Sequence, residues 1–332
     1  MDLRSLPGLT DKTIVLLLET ATHISALDIS RCASVTAAAL TASKSPLKHL
    51  KSLSAAKIAE MEEVLAELPT VFPSLVHLDV SGCSLTDAAF ARLVDLKDAQ
   101  PLPTAASTAR WPFRRNQHPT QQATTSVPTS DKRQLLLQSL NISSCTQLSD
   151  ETFMHLTDAL PDLRSLEAAN IRNLPDKGLV RFLKTTPHLT NLDLEGASEI
   201  TDVVLAALTP STNALPNSSQ TGLQLERLTV SYATHLSEGA FLRLIRQCPR
   251  LTTLVADNTR ITERVQRDFL SLARDGQKRG AELCIIDCRG QPRTVDSAMA
   301  RAVRPRRGLH GWKYTAQEYF DNSRLREFDE SR

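Results

Sequence analysis

LDVSGCSLTD, residues 78–87, carries two structural periods in succession. Leu78 and Val80 alternate with Asp79 and Ser81, the period-2 pattern of a short half-buried strand. Leu85, Thr86 and Asp87 then form a helix start, in which the hydroxyl is expected to cap free backbone N–H groups and the acid to favour the positive end of the helix dipole. Cys83 stands between the two. The strand half returns as LDISRC at 27–32 and LNISSC at 140–145, after which the cysteine drops out of the pattern.

Outward from this stretch, a Leu-x-x-Leu pairing recurs at Ile24/Leu27, Leu50/Leu53, Leu75/Leu78, Leu137/Leu140, Leu163/Leu166, Leu189/Leu192, Leu225/Leu228 and Leu251/Leu254, with a ninth unit keeping only Leu283. Where nothing is inserted the step is 25 or 26 residues. The helix start recurs as LTD at 9–11, LSD at 148–150, ITD at 200–202, LSE at 236–238 and ITE at 261–263. Apolar residues follow three and six positions after the acid, as in Ile14/Leu17, Phe90/Leu93, Phe153/Leu156, Leu179/Phe182, Leu205/Leu208 and Phe241/Leu244, so each helix has one apolar face. Strand, loop, capped helix and strand at this period predict an α/β fold. It is a leucine-rich-repeat solenoid, a horseshoe with parallel strands on the concave face and helices on the convex face.

The units resemble the cysteine-containing, RNI-like subtype of leucine-rich repeat found in F-box leucine-rich-repeat proteins and the antagonist-of-mitotic-exit family, whose pattern is roughly C-P-x-L-x-x-L-x-L-x-x-C-x-x-I-T-D. CPRLTTLVADNTRIT at 248–262 carries the front half and LDISRCASVT, from Leu27, the back half; the likeness covers most of residues 9–290. That resemblance implies substrate recognition for an SCF-type ubiquitin ligase and ubiquitin-dependent protein catabolism. An F-box itself is not expected. The first LTD already stands at 9–11, which means either an incomplete chain or one of the F-box-less relatives that act as scaffolds.

The repeat cysteines Cys32, Cys83, Cys145 and Cys288 share one register, five residues after the second leucine, a position filled elsewhere by Ile58, Ile171, Ala197, Ala233 and Thr259. A slot that accepts Cys, Ile or Ala is filled for packing, so these thiols are structural. Cys248 occupies a second repeat slot, ahead of its Pro-x-Leu. Cys284, Cys288 and His310 do not have zinc-site spacing, and no metal or other cofactor is expected. With no P-loop, H-E-x-x-H, G-x-S-x-G or glycine-rich nucleotide motif, no enzyme activity is expected.

With 39 Lys and Arg against 37 Asp and Glu, the net charge of +2 argues for neither nucleic acid nor membrane. The longest apolar run near the start, Ile14 to Leu18, is too short for a signal core or a membrane span, and six cysteines without framework spacing read as reduced thiols. A cytoplasmic or nuclear location follows as the expectation. Residues 1–96 are expected to form N-terminal repeat units, 97–133 a disordered Pro/Thr/Gln/Ser-rich insertion containing RWPFRR at 110–115, and 134–290 the C-terminal units with a short loop insertion at about 209–222. Residues 291–332 form a basic and aromatic tail that includes RAVRPRRGLHGWK at 301–313 and would cap the last unit.

In such a solenoid the residues flanking the central strand leucine face the concavity. The row after that leucine is acidic for most of its length, which makes Asp28, Asp79, Asn141, Glu167 and Asp193 candidate partner-binding residues. His77, Asn191, Glu195, Arg227 and Asp257 complete the candidate face, with His77 and Arg227 as polarity breaks at its edges. A protein partner presenting a basic segment would suit this surface, SCF ubiquitin-ligase components being the partners the resemblance adds. The competing expectation is a ubiquitin-independent scaffold or regulatory inhibitor. Binding of nucleic acid through the basic tail ranks below both, because the repeats lack stacking aromatics.

Overall fold

The structure is a computed structural model and describes residues 1–21, 23–42, 46–95, 132–171, 174–210, 221–274 and 282–284. Among the described residues nine three-residue strands pair in parallel and in chain order: β1 Ala26–Asp28, β2 Ser52–Ser54, β3 His77–Asp79, β4 Ser139–Asn141, β5 Ser165–Glu167, β6 Asn191–Asp193, β7 Arg227–Thr229, β8 Thr253–Val255 and β9 Glu282–Cys284. Their central leucines stand in register from Leu27 through Leu140 to Leu283. β3 pairs directly with β4 although residues 96–131 intervene, so the long insertion leaves the ladder continuous. The fold is thus a leucine-rich-repeat solenoid.

Between the strands lie α1 Asp11–Thr20, α2 Ala38–Thr41, α3 Met61–Val64, a 3-10 turn at Leu65–Glu67, α4 Leu68–Val71, α5 Asp87–Val94, α6 Asp150–Leu156, α7 Asp176–Leu183, α8 Asp202–Leu208, α9 Glu238–Gln247 and α10 Glu263–Arg274. Phe72, Phe90, Phe153, Phe182, Phe241 and Phe269 are fully buried between helices and sheet, with Phe153 and Phe182 edge to face at 5.7 Å. The apolar helix positions follow the expected spacing except in α1. There Leu18 is buried and Leu17 only partly so, because a step of four from Ile14 keeps the side chain on the core face.

The helix-start trio does more than cap its own helix. A hydroxyl accepts from its own helix at Ser149, Thr201 and Ser237, whereas Thr10 and Thr86 make no such bond. In rung after rung, the acid of one repeat instead accepts both the N–H and the hydroxyl of the next repeat's Thr or Ser. Asp11 holds Thr36, Glu62 holds Thr86, Asp87 holds Ser149, Asp176 holds Thr201 and Asp202 holds Ser237, with N–H bonds of 2.7–2.9 Å. These charge-assisted bonds lock neighbouring repeats. The last rung is missing: Glu238 lies 3.9 Å from Arg264, and Thr262 Oγ1 is buried without a partner.

The cysteine slot also bonds between repeats. Cys32, Cys83 and Cys145 are buried, and each donates its S–H to a carbonyl of the preceding repeat: Leu3 at 3.2 Å, Ala55 at 3.3 Å and Val80 at 3.3 Å. Packing alone, as the sequence implied, therefore understates them; the weak donor takes over a bond that Ile or Ala cannot make. Cys248 is likewise buried and donates to Leu208 O, while Cys288 lies outside the described residues. Burial pushes the Cys145 thiol up to about 12 and raises that of Cys83 as well. Both are expected to stay unlabelled by iodoacetamide at pH 8 in the folded protein and to react fully once it is denatured, as read by mass spectrometry.

Lys132 and Arg133, assigned by their sequence to the insertion, belong to the folded body. The Lys132 backbone pairs with that of Asp95 in an isolated antiparallel β-bridge, its Nζ donates to the carbonyls of Met154, His155 and Thr157 at 2.9–3.1 Å, and Arg133 N–H bonds Val94 O. A cation at the C-terminal end of α6 meets free carbonyls and the negative end of the helix dipole. The assignments at 96–131, 211–220 and 285–332, including RWPFRR and the tail, lie outside the described residues.

Candidate partner-binding face

β1 to β8 each bury their central leucine and turn the residues before and after it to the concave side. Leaving the strand, the chain enters a left-handed residue in every one of eight repeats, at Arg31, Lys57, Gly82, Ser144, Asn170, Gly196, Tyr232 and Asn258. The Asp and Asn row prepares that turn. One side-chain oxygen of Asp28, Asp79, Asn141 and Asp193 accepts the N–H two residues on, at 2.9–3.0 Å. Much of the acidic row is thereby explained by backbone geometry.

The remaining polar atoms divide the face. Asp28 is paired with Arg4 at 3.1 Å, and Asp79 accepts from Ser54 Oγ at 3.1 Å, so the N-terminal end of the row is largely satisfied within the chain. Toward the other end, Glu167, Asn191, Asp193 and Arg227 line one concavity of about 540 Å³, joined by Glu226, Thr229, Thr252 and Thr253. Asn141 borders it, donating to Glu167 Oε2 at 2.8 Å. Burial raises the Glu167 carboxyl, and Asp193 and Asp79 raise it further; burial also raises Asp193 against the opposing bond from Glu195 N–H. Glu167 is exposed by surface area, yet the curved sheet surrounds it, and that confinement costs its charge hydration.

Two assignments are corrected by this geometry. Asp257 is 3 % exposed, because the chain has already turned into the core two residues beyond the strand; Ser30 and Ser231 in the same register are buried too. Glu195, on the same turn, is half-buried like Asn191 and Asp193, and its N–H is the one held by Asp193. Arg227 lines the concavity itself and is not a break at its edge; His77 is exposed four strands away on β3. Sequence reasoning missed Glu226 and Thr252. Both precede a strand, outside the positions flanking its central leucine, yet they line the same concavity.

A carboxylate whose folded pKa is raised opposes folding once pH exceeds its unfolded value, and the penalty vanishes at low pH where both states are protonated. Glu167→Gln with Asp193→Asn is therefore expected to raise Tm at pH 7 by roughly 1–2 °C, screening keeping the effect below ~1 kcal/mol. At pH 3 thermal melts of the two proteins should coincide.

Among the described residues no group of three or more His, Cys, Asp or Glu is placed to hold a metal ion, and no helix is long and apolar enough to cross a membrane. No family model matches the chain, and no curated protein matches it. Among solved structures the chain is similar to yeast Rad7 in its complex with Elc1, at 15% identity over 91% of this chain and 83% of that one, with a TM-score of 0.36. It is also similar to an internalin, InlF of Listeria monocytogenes, at 15% identity over 80% of this chain and 75% of that one, with a TM-score of 0.35.

Proposed function

We propose that this chain is a non-catalytic protein-interaction solenoid whose concave face holds a basic segment of a protein partner. The observation that carries the reading is the concavity between β5 and β8, whose lining residues include three carboxylates, Glu167, Asp193 and Glu226, and one cation, Arg227. Carboxyls raised by confinement cost stability in the free protein, and a bound Lys or Arg would offset that cost. Tandem repeats supply a rigid curved support for such a site.

The finer role we propose is substrate recognition for an SCF-type ubiquitin ligase, supported by the repeat pattern in CPRLTTLVADNTRIT. Affinity purification of the full-length chain beside a variant carrying Asp79→Lys, Glu167→Lys and Asp193→Lys separates the layers. One partner protein should be held about a hundredfold more weakly by the variant, the scale of removing a desolvated charge pair. Adaptor and cullin subunits should co-purify with both forms. Their absence overturns the ligase role and leaves a ubiquitin-independent scaffold; an unchanged set of partners overturns the acidic face as the site.

A further inference from the structure

We infer that the chain's own basic run, Arg301 to Lys313, docks in cis in the concavity between β5 and β8 and competes there with the protein's partner. The inference rests on the reading of that concavity as a site for a basic segment. It adds an occupant, and with it a means of regulation.

Charge complementarity is the first argument. RAVRPRRGLHGWK holds five cations and no acid, and the concavity offers Glu167, Asp193 and Glu226. The second is the place where the chain leaves the fold. RWPFRR at 110–115 is also basic, but the described chain ahead of it ends just beyond α5, in the helical layer, whereas the described chain ahead of the tail ends on β9, a strand of the sheet next to β8. The third is reach. Sixteen residues lie between Cys284 and Arg301, a span of seventeen Cα–Cα steps. Stretched, they span up to about 60 Å, and a coil of that length has an r.m.s. span of roughly 20–25 Å. β9 stands three strands from β6 and four from β5, or about 14–20 Å at ~4.8 Å per strand. Span and coil length agree, the condition under which a tethered segment reaches its highest effective concentration, on the order of millimolar. At that concentration even a ~100 µM contact is mostly occupied and weakens a competitor about tenfold.

The test uses full-length protein and a labelled synthetic peptide of residues 301–313, with affinity read by fluorescence anisotropy at low salt. A tail variant carrying R301S, R304S, R306S, R307S and K313S should bind the peptide about tenfold more tightly than the unaltered chain, because the cis occupant is gone. Adding E167K and D193K to that variant should abolish binding. Equal affinities for the unaltered chain and the tail variant overturn cis docking while leaving the site intact. No binding to the tail variant overturns the site itself, and the inference with it. As a second readout, zero-length carbodiimide cross-linking of dilute protein should join Lys313 to Glu167, Asp193 or Glu226 within one chain and should fail in K313R. Cross-links found only between chains would overturn the intramolecular arrangement.

Discussion

Asp87→Ala is expected to destabilise the protein by about 4 kcal/mol and to split its thermal unfolding into two transitions. Asp87 accepts the N–H and hydroxyl of Ser149 at 2.9 and 2.7 Å and the N–H of Thr152 at 3.1 Å, together with the Thr152 hydroxyl. Thr152 is fully buried, so losing the carboxylate strands donors away from water. The location magnifies the effect. α5 and α6 are separated in sequence by residues 96–131, so noncovalent contacts must hold the two halves of the solenoid in register. In a repeat array, where stability is a sum of unit and nearest-neighbour terms, a weakened interface lets the two sides melt apart. Two calorimetric peaks, the lower shifted by about 10 °C, are the expected reading; a single transition with unchanged Tm would remove Asp87 from this role. Burial pushes the Asp87 carboxyl up, but the bonds from Thr152 and Ser149 outweigh it and hold the group below its ordinary value. A depressed carboxyl stabilises above its unfolded pKa, about 3.9, and the contribution fades as pH falls through the lower folded value. The gap between the unaltered protein and Asp87→Asn should accordingly be full at pH 6 and close toward pH 2.

The repeat was legible because its signals are local and recur. Leu27, Leu53 and Leu78 announce strands by alternation, and each central leucine identified in this way pairs with the next in the sheet. The cysteine register was legible for the same reason, although the bond from Cys83 to Ala55 O was not, since it joins residues 28 apart. What failed is whatever depends on the neighbouring repeat. LTD looks like a cap when read along one helix, and only the stacking of repeats turns Asp11 toward Thr36. How the candidate face divides was hidden in the same manner. Asp28 and Asp79 share a register with Asp193, but Arg4 and Ser54 satisfy them, and no periodicity reveals that. Asp257 was misplaced because period-2 alternation was carried two residues past the strand's end, where the chain has already turned inward.

Gly178→Ala is expected to cost about 3–4 kcal/mol, and Pro175→Thr in the same chain to restore at least half of it. The reason lies in the rung between α6 and α7, where the acid finds no hydroxyl to hold. Asp150 should clasp the next repeat's hydroxyl residue, but that position is Pro175, which has neither an N–H nor a hydroxyl to give. Asp150 Oδ1 instead accepts from the N–H groups of Gly178 at 2.6 Å and Leu179 at 3.2 Å, in the first turn of α7. This draws α7 so close to α6 that a Cβ on residue 178 would stand 2.3 Å from Asp150 O. Glycine is needed there for approach, not for backbone conformation. The equivalent positions where an ordinary rung precedes the helix hold Ala89, Thr152, Val204 and Ala240, so a side chain fits wherever that rung sets the spacing. A threonine in place of Pro175 would offer Asp150 that ordinary rung, release the two N–H groups and let α7 move outward. The alanine in place of Gly178 then adds its higher helix propensity. Chemical denaturation of the two single variants and the double measures the coupling directly. A coupling of about 2 kcal/mol in favour of the double variant is the expected result; strictly additive losses would mean that something other than the missing hydroxyl draws these two helices together.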